Sequence, residues 1–209
     1  TFTSANGYSV ELASLALSPG TGQTTTLSST TVNISILGNV TNGMSGFTTA
    51  QFDTLALASS TTGNSISGVI SDAAGGSFLP LAGGYTKITQ SGGGMWRLSG
   101  QNTNTGVVAV QNGTLWLAGG DNRLNPNGGG VTLGTGTTSG KLIIGGNADG
   151  STTAGSQRSQ TLNQINATSI LATSGTGTLN SVVGGADGGT SAGMPANNST
   201  LTLNIGAGF

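Results

Sequence analysis

Residues 94–120 read GMWRLSGQNTNTGVVAVQNGTLWLAGG. The runs Trp96-Arg-Leu98, Val108-Ala-Val110 and Leu115-Trp-Leu117 place apolar side chains at every second position, the spacing of a short strand with one buried face. Glycine and asparagine separate the runs, and Arg97 is the single charged residue among them. Glycine takes positive φ without steric cost and asparagine tolerates the left-handed region better than most residues, so the punctuation reads as turns.

The same grammar extends along the chain. Val32-Asn-Ile34-Ser-Ile36, Val131-Thr-Leu133, Leu142-Ile-Ile144 and Leu201-Thr-Leu203-Asn-Ile205 are further runs of this kind, divided by turns such as GGDNRLNPNGGG, GTGTTSG and GGNADGSTTAG. Residues 48–58, TTAQFDTLALA, are ambiguous. Thr48 or Thr49 suits the cap of one helical turn with Phe52 and Leu55 facing inward, while Leu55-Ala-Leu57 reads equally well as a strand.

Many short strands fit either a barrel or sandwich, or a solenoid. Three features favour the solenoid. The runs are shorter than the roughly five to six residues usual for strands. Thr, Ser and Asn occupy the outward positions, where stacked rungs form hydroxyl and amide ladders. Aromatic residues make up only 4% of the chain, too few for a small barrel core. The fold expected is therefore all-β, a parallel β-helix formed by residues 1–209 as one domain, with 1–60 less regular and 94–120 its clearest repeat.

Composition excludes several classes of function. Of 209 residues, 39 are Gly, 33 Thr, 25 Ser and 18 Asn, whereas Lys, Arg, Asp and Glu together number 11; ordinary domains carry about 25% charged residues. So much glycine and serine would suit a solvated linker, but 34% of the chain is hydrophobic and recurs in regular runs that a linker does not need. A net charge of −1 offers no footprint for nucleic acid and little self-repulsion against copies of the same chain. No run approaches the length of a membrane-spanning helix, so no membrane insertion of this segment is expected. Cysteine is absent, and with it any disulfide framework or thiolate metal site. The opening residues, TFTSANGYSV, have neither an initiator Met nor an apolar signal stretch, and the chain reads as a processed piece of a longer one.

Reactive groups are few. Without histidine, a Ser or Thr nucleophile has no imidazole base and the usual zinc ligand sets cannot form. The acids are Glu11, Asp53, Asp72, Asp121, Asp149 and Asp187. Asp72, Asp121, Asp149 and Asp187 lie in glycine-rich turns, where Asp accepts from its own backbone two residues on, a capping role rather than paired-carboxylate catalysis. GGNADGST and GGADGGTS hint at calcium, yet Asp149 and Asp187 are 38 residues apart and lack the tandem spacing of calcium-binding solenoids. Gly134 to Lys141 evokes a phosphate loop but has the wrong glycine spacing, with Leu142 where Ser or Thr would bind magnesium. Sequons at Asn33, Asn39, Asn112, Asn166, Asn197 and Asn198 are no more than so much Ser and Thr produces by chance. No catalytic, metal or cofactor-binding residue, and no cofactor, is expected. Trp116 is the one candidate contact residue: Leu115 and Leu117 face inward, leaving its indole outside for a neighbouring subunit or a sugar face.

Residues 94–120 also carry a family resemblance. Gly94, the pair Trp96 and Leu98, the turn Asn102-Thr103-Asn104-Thr105-Gly106, Val108 and Val110, and Gly113-Thr114-Leu115-Trp116-Leu117 resemble the autotransporter-associated β-strand repeat of passenger domains in bacterial surface proteins. Asn104 stands where that repeat usually has Tyr, and Trp96 where it usually has Leu. Residues 64–71, 181–185 and 198–204 are similar to the strands flanking such a repeat. The resemblance implies a right-handed parallel β-helix on the bacterial cell exterior. The function expected is structural and non-enzymatic, a stalk or fibre subunit associating end to end with copies of itself. An adhesin that binds surface glycans is the alternative, and a polysaccharide-degrading β-helix a more distant one.

Overall fold

The computed structural model describes residues 9–17, 20, 22–46, 51–76, 83–135, 138, 140–151, 158–167, 182–185 and 200–203, with backbone alone for 166–167, 182–185 and 200–203. Among these residues every regular element is a strand: β1 Ser9–Leu12, β2 Leu15–Leu17, β3 Thr24–Leu27, β4 Asn33–Ile36, β5 Val40–Asn42, β6 Phe52–Leu57, β7 Asn64–Ile66, β8 Tyr85–Gln90 and β9 Met95–Leu98. There follow β10 Val108–Val110, β11 Gly113–Leu117, β12 Val131–Leu133, β13 Gly140–Ile144, β14 Ser159–Leu162, β15 Ile165–Ala167, β16 Val182–Gly185 and β17 Thr200–Leu203. The runs read from the sequence lie on strands, except that Val32 just precedes β4 and 204–205 of the last run fall outside the described residues.

Every strand pairing is parallel. A seven-stranded sheet takes the order β1-β4-β7-β9-β11-β13-β16 and a six-stranded sheet β3-β6-β8-β10-β12-β15, both in chain order, with β2-β5 and β14-β17 as two further pairs. Parallel neighbours cannot be joined by a tight hairpin, so the chain must travel before it returns. Trp96 thus pairs with Leu115, the shortest interval, and Leu142 with Val183, the longest in that sheet.

In-register pairing turns the period-two alternation into columns. Leu12, Ile36, Ile66, Leu98, Leu117 and Ile144 align across one sheet, and Leu55, Ile88, Val108, Val131 and Ile165 across the other. Ile36, Leu55, Ile66, Ile88, Leu98 and Leu142 have no exposed surface. Burying an aliphatic side chain of this size stabilises by about 1.5–3 kcal/mol, which makes these columns the main source of cohesion.

A third line of contact uses fewer ladder bonds. β2 pairs with β5, and Val40 bridges to Ile70. Beyond that point amide side chains add to the backbone bonds that remain, such as the Thr103 amide to the Ile70 carbonyl at 3.0 Å and the Asn102 amide to the Arg123 carbonyl at 3.1 Å. Asn102 accepts from the Ile70 amide at 2.8 Å and donates to the Arg123 carbonyl at 2.9 Å; Gln160 accepts from the Leu124 amide and donates to its carbonyl, each at 3.0 Å.

Residues 52–57 settle the ambiguity at 48–58 as far as they reach, since 48–50 lie outside the described residues. Phe52–Leu57 is a strand, not a helical turn. Its residues pair with β8 along their whole length and with β3 over Thr54 to Leu57, and a ladder on both edges outweighs a weak local helix signal. The inward residues are Asp53, Leu55 and Leu57, and Phe52 is only half buried.

Close backbone approach explains the key glycines. At one corner an added Cβ on Gly38 would collide with the Ala13 carbonyl oxygen, one on Gly68 with that of Gly38, and one on Gly100 with that of Gly68. Gly93, by contrast, has only the Asn112 amide nitrogen at 3.8 Å. Gly68→Ala is therefore expected to lower unfolding free energy by about 1–3 kcal/mol, and Gly93→Ala to change it by less than about 0.5 kcal/mol. Urea denaturation of the two variants checks the contrast.

Candidate functional site

Among the described residues Asp53, Asp72, Asp121 and Asp149 each accept a hydrogen bond from a backbone amide. Asp72 Oδ1 accepts from the Thr86 amide at 2.7 Å, and its Oδ2 accepts from the Thr105 hydroxyl at 2.6 Å and amide at 3.0 Å. Asp121 accepts from the Ser159 amide at 2.8 Å. Both bridge segments distant in sequence, which corrects the expectation that each caps its own turn. Asp149 does behave as expected, accepting from the Ser151 amide at 2.8 Å and hydroxyl at 2.7 Å. Glu11 is exposed on β1, and Asp187 lies outside the described residues.

Asp53 is the unusual one. It shares the inward face of β6 with Leu55 and Leu57 and is 1% exposed. Oδ1 accepts from the Gln23 amide at 3.1 Å, while Oδ2 is buried without a partner. Burial pushes its carboxyl above the usual range, against the opposing pull of that hydrogen bond. Asp72 is raised too, again chiefly by burial and partly offset by Thr105 and Thr86. The Ser151 amide and hydroxyl, helped by Arg97, hold Asp149 below it.

Trp116 does not present the open indole that alternation alone implies. It points outward from the aliphatic columns, as Leu115 and Leu117 require, but is only 9% exposed. Residues 145–150 fold over it: its Nε1 donates to the Gly145 carbonyl at 2.7 Å, and an added Cβ on Gly146 would lie 2.8 Å from the ring. Arg97, its neighbour in register, lies 5.9 Å from the ring centroid. Glycines at 146 and 150 are the sequence signal for such a cover, legible only once their proximity to Trp116 is known.

The two departures from the repeat are buried. Trp96 has no exposed surface and its Nε1 no partner, while Asn104 donates to the Thr86 carbonyl at 3.1 Å. Sequence reasoning missed an aromatic group on the six-stranded sheet. Phe52 and Tyr85, paired in register, stack with centroids 5.5 Å apart, and the Lys87 ammonium sits 3.3 Å from the Phe52 centroid. Burial lowers the Lys87 pKa. Phe52 and Tyr85 are 33 residues apart, so only the register brings them together.

Among the described residues no three of His, Cys, Asp and Glu gather where a metal ion could be held, and no helix is long and apolar enough to cross a membrane. In the glycine-threonine stretch 134–140, among the described residues, the Gly134 amide donates to the Val110 carbonyl and the Thr138 hydroxyl to that of Gln111. No family model, curated protein or solved structure matches the chain.

The two raised carboxyls set a pH dependence of stability. A carboxyl whose folded pKa exceeds its unfolded value favours folding most when protonated, below the unfolded pKa, and that contribution is lost as pH rises through the folded pKa. Asp149 works in the opposite sense, but it is exposed and weighs little. Acidification from about pH 7 to about pH 4 is therefore expected to hold or raise the melting temperature, with Asp53→Asn flattening the rise. Thermal melts followed by circular dichroism across that range check both.

Proposed function

We propose that the chain winds as a right-handed parallel β-helix and serves as a structural, non-enzymatic subunit of a stalk or fibre on the outer surface of a bacterial cell, stacking end to end with copies of itself. The in-register columns and chain-order sheets support the winding, and parallel crossovers are right-handed in about 98% of cases. The resemblance of residues 94–120 to the passenger repeat supports the surface location.

One observation carries the assembly. Between β1 and β3, each paired on one side only among the described residues, lies a groove of about 590 Å³ lined by Val10, Leu12, Leu27, Val32 and Ile34, with Thr26 and residues 28–31 at its rim. Val10, Leu12 and Leu27 are only half buried, so among the described residues the inner columns stay open at this end. An open parallel edge beside an apolar groove is a template for another strand pair of the same spacing. A second copy supplies that spacing, and a head-to-tail contact of this kind does not close on itself. No lining residue of the groove is charged and Glu11 is exposed on the other face of β1, so little charge opposes association.

Purified protein is expected to form filaments in electron micrographs. Leu12→Arg, which sets a charge in the groove, is expected to leave the circular dichroism spectrum unchanged and give only isolated particles. Wild-type protein that stays dispersed at high concentration, or Leu12→Arg filaments like those of the wild type, would rule this assembly out.

A further inference from the structure

We propose that Asn112 and Gly113 form a self-modifying junction, in which the Gly113 backbone nitrogen attacks the Asn112 side-chain amide and converts this asparagine to aspartyl and isoaspartyl products. The Gly113 nitrogen lies 2.8 Å from Asn112 Oδ1, which places the amide carbon of that side chain beside the nitrogen that would attack it. The backbone on either side is fixed: the Asn112 amide donates to the Gln90 carbonyl at 3.2 Å and the Thr114 amide to that of Gly94 at 2.9 Å. Gly113, at φ +69°, brings no side chain to obstruct ring closure. Asn112 Nδ2 makes no hydrogen bond among the described residues, and the side chain is only half buried, so the leaving group has a route to solvent.

The chemistry needs only water and hydroxide. The Gly113 nitrogen loses its proton to hydroxide and forms a bond to Asn112 Cγ; the Cγ–Nδ2 bond breaks, and the nitrogen takes a proton from water and departs as ammonia. Water then opens the five-membered imide at either carbonyl, giving an aspartyl or an isoaspartyl link, with no change of oxidation state. Holding the reacting atoms together in advance removes part of the entropic cost of closing the ring.

The other Asn-Gly pairs among the described residues are placed differently. Asn42 is 7% exposed, its Oδ1 accepts from the Met44 amide at 2.9 Å, and its Nδ2 donates to the Thr86 hydroxyl at 3.2 Å, so both ends of the amide are held. The Gly128 amide points at the Asn125 carbonyl, 3.0 Å away, rather than at the Asn127 side chain.

Conversion would mark a structurally sensitive place. An isoaspartyl link puts the Asn112 Cβ into the main chain and lengthens the step into Gly113, which is packed so closely that an added Cβ there would collide with the carbonyl oxygens of Gly92 and Gly94. The seam between β9 and β11 would loosen as the protein ages.

The test is peptide mapping by mass spectrometry of the folded full chain during incubation at neutral and mildly alkaline pH. Asn112 is expected to gain the mass of an amide-to-acid change about tenfold faster than Asn42, ahead of Asn127, and faster at the higher pH. Asn112→Gln, which would need a six-membered ring, is expected to stay unmodified at this position. Conversion of Asn42 or Asn127 first, or an unchanged Asn112 while a free peptide spanning residues 109–116 converts, would overturn the proposal.

Discussion

Backbone laid directly on backbone is the constraint from which the rest of this structure follows. Parallel strands about 4.8 Å apart leave no space for a side chain at a corner where the chain turns over its own earlier course. Ala13, Gly38, Gly68 and Gly100 mark such a corner, each carbonyl before Gly100 occupying the place of the next residue's Cβ. Once corners are fixed in this way, strands between them come into register. A period-two sequence then becomes continuous aliphatic columns, with Leu12 to Ile144 in one sheet and Leu55 to Ile165 in the other.

The polar residues follow the same geometry. Around Ile70 and Leu124, Asn102 and Gln160 add side-chain bonds to backbone groups that a regular strand pair would satisfy through its ladder alone. Asp72 and Asp121 do similar work with carboxylates, reaching Thr86, Thr105 and Ser159. An unpaired backbone group in such a wall costs about 1–3 kcal/mol. The abundance of Asn therefore reflects wall-building as well as turn-making. Arg123 serves the same wall, its Nη1 donating to the Ser99 carbonyl at 2.8 Å, and so few other charges remain that little repels another copy.

Much of this was legible in the sequence, and what was not shares one cause. Short runs such as Val108-Ala-Val110 and Leu142-Ile-Ile144 announced strands because alternation is a local property. The aliphatic pair of the 94–120 repeat announced its inward residues, and Trp96 is fully buried where that pattern puts it. Register is not local. Nothing near Asp53 says that it shares an inner face with Leu55, because the competing helical reading of 48–58 fits the same residues. Phe52 meets Tyr85, and Asp72 meets Thr105, across intervals that vary from one return of the chain to the next. Trp116 illustrates the same limit: alternation gave its direction outward correctly, but the segment that covers it comes from 145–150.

The register itself can be measured in a chain that has no cysteine of its own. Ser35 and Ser65 are Cα partners on β4 and β7, with hydroxyl oxygens 3.2 Å apart. A Ser35→Cys, Ser65→Cys double variant should cross-link within one molecule under mild oxidation, whereas Ser35→Cys with Ser91→Cys should not. Efficient cross-linking of the second pair, or none of the first in a folded protein, would contradict the parallel register on which the columns, the corners and the open groove all rest.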